Sequence, residues 1–273
     1  MKTTPNCKIN LGLHIVEKRP DGYHNIETVF YPVPLCDELE IVAANDFTFA
    51  QNGIQLECRA SDNLCVKAYN LLQKDYHDTM GSVAMNLKKN IPFGAGLGGG
   101  SADAAFTLTM LNNMFGLNLD ADTLQQYAGK LGADCAFFIK NIPVYATQKG
   151  DVFEDIDISL KGYVLLLVKP DIFISTPEAY AGVTPKKPNV NLKDALQQPI
   201  EEWRHTIVND FEDSVFPKYP LLAELKKMMY DKGALYAAMS GSGSTMFGIF
   251  PKESSVDIKD FDSKGFIWKT ELF

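Results

Sequence analysis

The sequence predicts an α+β fold, because strands and helices are mixed along its 273 residues without regular alternation. Hydrophobic residues make up 46% of the chain and charged residues 22%, which are globular proportions. A chain of this length forms one large or two modest domains. An acidic, loop-like stretch around residues 150–158 marks the change between halves. We therefore expect two domains, at 1–155 and 156–273.

The first half contains five predicted strands and three predicted helices in irregular order. Residues 8–15 alternate polar and apolar side chains, which is the two-residue period of a strand with one apolar face. Arg19-Pro20-Asp21-Gly22 contains the residue types of a tight turn. Apolar segments predict further strands at 38–42, 47–49, 83–87 and 137–139. Apolar residues repeating on one face predict helices over 64–72, 101–115 and 120–131, with Gly132 ending the last.

The second half contains three more predicted strands and a helix. Residues 163–168 form an apolar segment typical of a buried strand, and 220–230 repeat apolar residues at helical spacing. The last two strands are predicted at 235–239 and 245–250. The Ser/Gly segment 240–244 joins them, which is consistent with a hairpin turn or with a ligand-binding loop.

Charge and composition indicate a small-molecule partner. The net charge is −8, whereas proteins that bind nucleic acid or membranes usually present a broad basic surface, so neither partner is expected. The longest aliphatic run, 164–168, is far shorter than the roughly 20 residues of a membrane helix. The N-terminus lacks the apolar core of a signal peptide. The five cysteines are widely spaced, so we expect reduced thiols, a cytoplasmic location and no metal ligand from the protein.

A glycine-rich segment is the most informative part of the chain. Five of the seven residues 94–100 are glycine, and such a segment loses much conformational entropy on folding. That cost is understandable if bare backbone must approach a ligand. It leads directly into the predicted helix at Ser101, whose unpaired amides favour phosphate. We therefore predict nucleotide binding by Pro92, Phe93, Gly94, Ala95, Gly96, Leu97, Gly98, Gly99, Gly100, Ser101 and Ala102. A flexible linker or a tight turn remains the alternative.

Other phosphate-binding loops fit this segment less well. Gly94, Gly96 and Gly99 match the dinucleotide pattern, but that pattern is weak without regular strand–helix alternation. No lysine follows the last glycine, as a P-loop requires, and the catalytic motifs of protein kinases are absent from the sequence.

Three motifs resemble those of the GHMP kinases. Residues 92–101, Pro-x-Gly-x-Gly-Leu-Gly-Gly-Gly-Ser, are similar to the nucleotide loop of that family. Residues 8–11 resemble its first motif and residues 239–244 its third, in the same order along the chain. The resemblance implies a two-domain α+β fold with the active site in the cleft between domains. It also implies ATP as phosphate donor and Mg²⁺ as cofactor.

Further segments resemble one branch of this family. Residues 19–24 and 131–134 are similar to the members that phosphorylate the 2-hydroxyl of a cytidine-diphosphate-linked methylerythritol, on the non-mevalonate route to isoprenoids. The resemblance implies that Asp134 is the catalytic base and Lys8 its partner. It implies that the substrate contacts are Asn10 at the polyol, Tyr23, His24 and Tyr180 at the cytosine, and Thr176.

Several alternatives stay open at this stage. Without the resemblance, the polar face of the first strand would be expected in solvent and Asp134 would be a turn residue. The motifs are also consistent with a GHMP kinase acting on homoserine or a sugar, or with a non-catalytic nucleotide-binding regulator. Cys135-Ala136 stands where this branch usually has Val-Pro after the aspartate.

Overall fold

The structure is a computed structural model that describes residues 1–54, 59–261 and 265–272. The strands are β1 (Lys2–Thr3), β2 (Asn6–Lys18), β3 (His24–Cys36), β4 (Glu38–Ala43), β5 (Thr48–Gly53), β6 (Val83–Lys89), β7 (Val144–Thr147), β8 (Val152–Asp155), β9 (Val164–Lys169), β10 (Tyr236–Met239), β11 (Met246–Phe250) and β12 (Phe266–Glu271). The helices are α1 (Leu64–Asp75), α2 (Gly99–Phe115), α3 (Ala121–Leu131), α4 (Phe137–Lys140), α5 (Thr176–Ala181), α6 (Leu192–Leu196), α7 (Ile200–Thr206), α8 (Phe211–Val215) and α9 (Pro220–Asp231). These elements confirm the α+β fold class. Within the described residues, no helix combines the length and apolar character needed to cross a bilayer.

Contacts divide the chain into two compact units, each assembled from three segments. The first unit comprises Met1–Lys8, Pro34–Phe93 and Gly98–Ile142, and the second comprises Ile9–Val33, Gly94–Leu97 and Pro143–Phe273. The two continuous domains expected from the sequence, 1–155 and 156–273, stay a prediction.

The first unit contains a four-stranded sheet in the order β1-β4-β6-β5. Its strands are antiparallel except β5, which runs parallel to β6. Helices α1, α2 and α3 pack against one another beside it. Along β6 every second residue, Val83, Met85 and Leu87, is buried, and the same alternation buries Lys89. The glycine-rich segment follows this strand and ends where α2 begins.

The second unit contains an antiparallel sheet in the order β10-β11-β9-β12. Helix α9 packs on β10 and β11, where Leu222, Leu225 and Met229 join the buried core. The hairpin of β10 and β11 occurs as predicted, with residues 240–244 between the strands.

Strand β2 begins a third sheet, in the order β2-β3-β7-β8, and is longer than predicted. Its apolar residues Ile9 and Leu11 are fully buried, but Lys8, Asn10 and His14 on the alternate face are also less than 7% exposed. The expectation that the polar face lies in solvent is therefore wrong. A strand that is covered on both faces needs a partner for each buried polar group.

Two local predictions are wrong, one in the type of an element and one in the start of a helix. Residues 137–139 form helix α4 instead of a strand, because a run of three apolar residues has no diagnostic period. Helix α2 begins two residues before Ser101, and its N-cap is Gly98. Asp103 therefore lies beyond the first turn. Helix α1 is capped by Asn63, whose side chain accepts a hydrogen bond from Cys65 N.

Candidate active site

Lys8 and Asp134, the two predicted catalytic residues, form an ion pair in the first unit. The distance between Lys8 Nζ and Asp134 Oδ2 is 3.4 Å. The Lys8 side chain is only 4% exposed, whereas that of Asp134 is 36% exposed. Asp134 lies in a short 3-10 helix, Ala133–Cys135, directly after Gly132 ends α3. A buried cation thus holds a carboxylate that an incoming hydroxyl group can reach.

The start of α2 lies beside this ion pair. Gly98 has φ of 70°, a left-handed conformation that favours glycine, and its carbonyl accepts the first intrahelical bond from Ala102 N at 2.9 Å. The amides of residues 99–101 precede that bond and have no partner within the helix. A Cβ on Gly98 would lie 3.2 Å from Lys8 Cε, which is closer than an ordinary van der Waals contact, so glycine avoids crowding the lysine side chain. The arrangement suits a phosphate group next to Lys8 and Asp134.

The first part of the glycine-rich segment, residues 94–97, lies in the second unit against the Ser/Gly hairpin. Ser240 Oγ donates to the Gly96 carbonyl at 2.9 Å, and Thr245 N donates to the Ala95 carbonyl at 3.2 Å. Gly96 has φ of 74°, and a Cβ there would lie 2.0 Å from the Ser240 carbonyl oxygen. The structure therefore brings together two motifs that are far apart in the sequence.

The remaining residues of the predicted nucleotide segment differ in accessibility. Phe93 is 65% exposed and Pro92 is half-buried, whereas Leu97 and Ala102 are buried. Ser101 is half-buried and hydrogen-bonds the thiol of Cys135. Burial raises the pKa of that thiol to about 12, so it stays protonated beside Asp134.

Asn10 is held in a buried hydrogen-bond chain of the second unit. Its Nδ2 donates to Thr28 Oγ1 at 2.9 Å, and Thr28 Oγ1 donates to the Gly12 carbonyl at 2.5 Å. Its Oδ1 faces the Ser/Gly hairpin, since a Cβ on Gly241 would lie 3.4 Å from that oxygen. These hydrogen bonds fix the orientation of the Asn10 amide group, so that its oxygen faces the hairpin.

The predicted cytosine contacts lie in the second unit. The rings of His24 and Tyr180 stack on each other, with centroids 4.6 Å apart and planes at 17°. Rings this close leave no room for a base between them, and the Tyr180 ring also makes an edge contact with Phe211, with centroids 4.8 Å apart. Tyr23 is 62% exposed, and Lys149 Nζ lies 5.4 Å from its ring centroid. Thr176 begins α5 and is exposed, one helical turn before Tyr180.

The surroundings of His24 favour the uncharged form of its ring. Partial burial and the nearby charge of Lys18 lower the pKa of His24 below its usual value. A neutral imidazole has one donor and one acceptor nitrogen, which suits the edge of a pyrimidine.

Two family profiles match the chain. The profile described as GHMP kinases N terminal domain matches residues 63–141, and the profile described as GHMP kinases C terminal matches residues 191–260. The chain belongs to the GHMP kinase family. It is therefore an ATP-dependent small-molecule kinase, with ATP as the phosphate donor.

Individual GHMP kinases are similar over nearly the whole chain. A curated relative from Bacteroides fragilis, named 4-diphosphocytidyl-2-C-methyl-D-erythritol kinase, is 53% identical over 100% of both chains. A relative of the same name from Parabacteroides distasonis is 52% identical over 98% of both. The crystal structure of a 4-(cytidine 5'-diphospho)-2C-methyl-D-erythritol kinase matches with a TM-score of 0.85 and 29% identity, over 98% of both chains. A homoserine kinase from Cytophaga hutchinsonii matches with a TM-score of 0.70 and 16% identity, over 98% of this chain and 94% of that one, and shows the fold alone.

This GHMP kinase also has a buried charge cluster that the sequence predictions missed. Lys89 Nζ donates to Asp37 Oδ2 and, at 2.6 Å, to Asp103 Oδ2. Asp37 Oδ1 accepts from the amides of Asn90 and Ile91 at 2.6 and 2.9 Å. The three charged side chains are at most 3% exposed. Since Asp103 belongs to α2, the cluster fastens the end of β6 to the helix that begins at the glycines.

Burial and the neighbouring opposite charges shift the pKa values of this cluster in opposite directions. Burial raises the pKa of Asp103 to about 7, although the cation of Lys89 opposes that rise. Burial opposes the charge of Lys89, but the two carboxylates outweigh it and raise the lysine pKa. Asp103 Oδ1 is buried and has no hydrogen-bond partner in the described part of the chain. The period-two alternation of β6 was the available signal, since it places Lys89 on the face of Leu87.

Proposed function

We propose that this GHMP kinase transfers the γ-phosphate of ATP to the 2-hydroxyl of 4-diphosphocytidyl-2-C-methyl-D-erythritol, on the non-mevalonate route to isoprenoids. The observation that carries the proposal is the Lys8–Asp134 ion pair beside the free amides that begin α2. The acceptor is supported by relatives of that name, 53% and 52% identical over at least 98% of the chain.

The proposed chemistry assigns a separate task to each part of the first-unit site. Asp134 accepts or orients the proton of the attacking hydroxyl group, and Lys8 holds the carboxylate in place. The amides of residues 99–101 and the dipole of α2 stabilise the phosphate charge. Phosphoryl transfer depends mostly on such positioning and electrostatic stabilisation, so a site of this kind needs no covalent nucleophile.

We propose that Mg²⁺ enters with ATP instead of being held by a protein cage. Among the described residues no group of three or more His, Cys, Asp or Glu side chains could hold a metal ion. Kinase sites commonly bind Mg²⁺ through one or two carboxylates together with the substrate phosphates. A site without a larger cluster of ligands among the described residues fits that mode. When bound, the ion neutralises charge on the transferred phosphate.

We propose that the second unit binds the acceptor. The ring of His24 would offer its outer face and its edge to the cytosine, backed by Tyr180, which itself packs on Phe211, and Tyr23 adds an exposed aromatic face. The hydrogen bonds of Asn10 fix its side chain with the oxygen facing the Ser/Gly hairpin, where it would contact the polyol. Thr176 would be a further substrate contact.

Replacement of His24 by Ala is expected to raise the KM for the cytidyl acceptor by about tenfold, because one hydrogen bond and one stacked ring are lost. The KM for ATP should change by less than about twofold, since His24 and the start of α2 lie in different units. His77→Ala is the matched control, because that side chain is 67% exposed and belongs to the first unit. Steady-state kinetics with each substrate varied in turn provide the measurement. Equal increases in both KM values would contradict the cytosine assignment.

A substrate panel tests the proposed function directly. Purified protein is incubated with Mg-ATP and either the cytidyl-methylerythritol, homoserine, mevalonate or a sugar, and ADP release is followed by a coupled assay. We expect turnover of the cytidyl acceptor at least about a hundredfold above the others, in the range that pocket hydrogen bonding can supply. Turnover of homoserine without turnover of the cytidyl acceptor would overturn the proposal. Nucleotide binding without turnover of any acceptor would instead favour a non-catalytic regulator.

A further inference from the structure

Asn209, in the second unit, hydrogen-bonds the backbone on both sides of the point where β10 ends and the 240–244 loop begins. Its Nδ2 donates to the Met239 carbonyl at 2.7 Å and to the Gly241 carbonyl at 2.8 Å. Its Oδ1 accepts from Phe211 N at 3.0 Å, which fixes the orientation of the amide group. Asn209 is 2% exposed, so these bonds form away from water. All the polar atoms of this side chain are used on backbone groups.

The segment that carries Asn209 is itself anchored. Asp210 N donates to the Leu13 carbonyl at 2.8 Å, and Asp210 Oδ2 accepts from Ile15 N at 2.8 Å, which ties the segment to β2. Glu212 Oε1 accepts from Met239 N at 2.8 Å, so Met239 is held through both its amide and its carbonyl. Asn209 and Glu212 together fix the residue from which the hairpin loop departs.

The hairpin loop in turn contacts the nucleotide segment. Ser240, the residue after Met239, donates through Oγ to the Gly96 carbonyl at 2.9 Å. Thr245, at the other end of the loop, donates to the Ala95 carbonyl at 3.2 Å. The two backbones approach closely at Gly96, where a Cβ would lie 2.0 Å from the Ser240 carbonyl oxygen, so a residue with a side chain does not fit there.

We infer that Asn209 is a positioning residue for nucleotide binding: it holds the 240–244 loop, and through that loop it holds residues 95 and 96. Its side chain is buried and bonded to backbone groups, so it acts through them. The carbonyls held in this way belong to Ala95 and Gly96, which come just before the amides of residues 99–101 in the chain. Phosphate binding by those amides requires them to be in place before the ligand arrives, and the anchored residues 95 and 96 fix the segment that leads into them. The inference rests on the proposed assignment of 92–102 as the nucleotide segment.

The isosteric variant Asn209→Asp tests this inference. It keeps the acceptor for Phe211 N but replaces the two amide donors by a carboxylate oxygen facing two carbonyls. Hydrogen exchange measured by mass spectrometry should become at least about tenfold faster at the Ser240 and Thr245 amides. Calorimetry with Mg²⁺ and adenylyl imidodiphosphate should show binding weaker by about tenfold, the usual effect of one or two lost hydrogen bonds. Neither measurement uses the acceptor, so an error in the acceptor assignment leaves the test intact.

Asn112→Asp is the matched control. Asn112 is also buried, and its amide also bonds backbone, accepting from Leu119 N at 2.9 Å and donating to the Leu119 carbonyl at 3.2 Å. It lies near the C-terminal end of α2, so its loss should destabilise the protein similarly but leave exchange at Ser240 and Thr245 unchanged. Asn209→Ala is the second variant, for the case in which Asn209→Asp does not fold, because it removes both donors without burying a charge. Unchanged exchange at both amides, or faster exchange with unchanged nucleotide affinity, would overturn the inference.

Discussion

Replacement of Asp134 by Asn is expected to lower kcat by about 100- to 10,000-fold, the usual contribution of a general base. The amide has nearly the same shape as the carboxylate, so the local fold of the Ala133–Cys135 turn should be kept. It cannot accept the hydroxyl proton, and it loses the ion pair with Lys8 Nζ at 3.4 Å. Single-turnover phosphoryl transfer to the cytidyl acceptor provides the measurement, with nucleotide binding followed separately.

Asp122→Asn is the control for this prediction. Asp122 is an exposed acid in the first turn of α3, and its replacement should change kcat by less than about twofold. The double variant Lys8→Met/Asp134→Asn should lose little more activity than Asp134→Asn alone, because groups that act as a unit are not additive. Activity of folded Asp134→Asn protein within a few-fold of the parent would refute the assignment of the base.

Lys89→Met is expected to destabilise the protein by about 3–5 kcal/mol, the cost of removing one partner from a buried ion pair. Methionine fills most of the volume of lysine but leaves Asp37 and Asp103 buried side by side without their shared cation. Urea unfolding gives the change in the free energy of unfolding. Lys88→Met is a matched control on the next residue, since the Lys88–Glu38 pair is about half exposed and should contribute only about 0–1 kcal/mol.

The deficit of Lys89→Met should also depend on pH. The pKa of Asp103 is already raised to about 7 by burial, even with Lys89 in place. A carboxyl with a raised pKa in the folded state contributes stability at acid pH that is lost as the pH rises through that value. Without Lys89 this effect grows, so the deficit should be larger near about pH 8 than near about pH 5. A deficit that is the same at both pH values, or no larger than that of Lys88→Met, would show that lost packing explains the change.

Most of the fold could be predicted from the sequence, because the apolar period reports which face of an element is buried. The hairpin of β10 and β11, helix α3 with its end at Gly132, and strand β9 lie where the patterns place them. The pattern is silent where a strand is buried on both faces, as in β2, and it misleads in short apolar runs such as residues 137–139. Burial of a polar face depends on what packs over it, which local sequence does not encode.

The candidate site could be predicted in its parts but not in its supports. Lys8 and Asp134 are found as an ion pair, and the 240–244 loop meets Gly96. The supports are Lys89 and Asn209, which look like ordinary polar residues in the sequence. Each acts through contacts with residues distant in the chain, and the periodicity of a single sequence carries no signal for such pairs. Asp103 likewise has no signal in the sequence for its pairing with the buried Lys89.

The thiol of Cys135 bears on how this enzyme could be inhibited. It follows the proposed base directly in the sequence, a position at which a covalent inhibitor that reacts with cysteine would be considered. Burial keeps that sulfur protonated at neutral pH, and a protonated thiol is a poor nucleophile. Compounds bearing acrylamide or chloroacetamide groups are therefore expected to react slowly with Cys135. Reversible ligands that accept hydrogen bonds from the amides at the start of α2 offer chemists the better starting point.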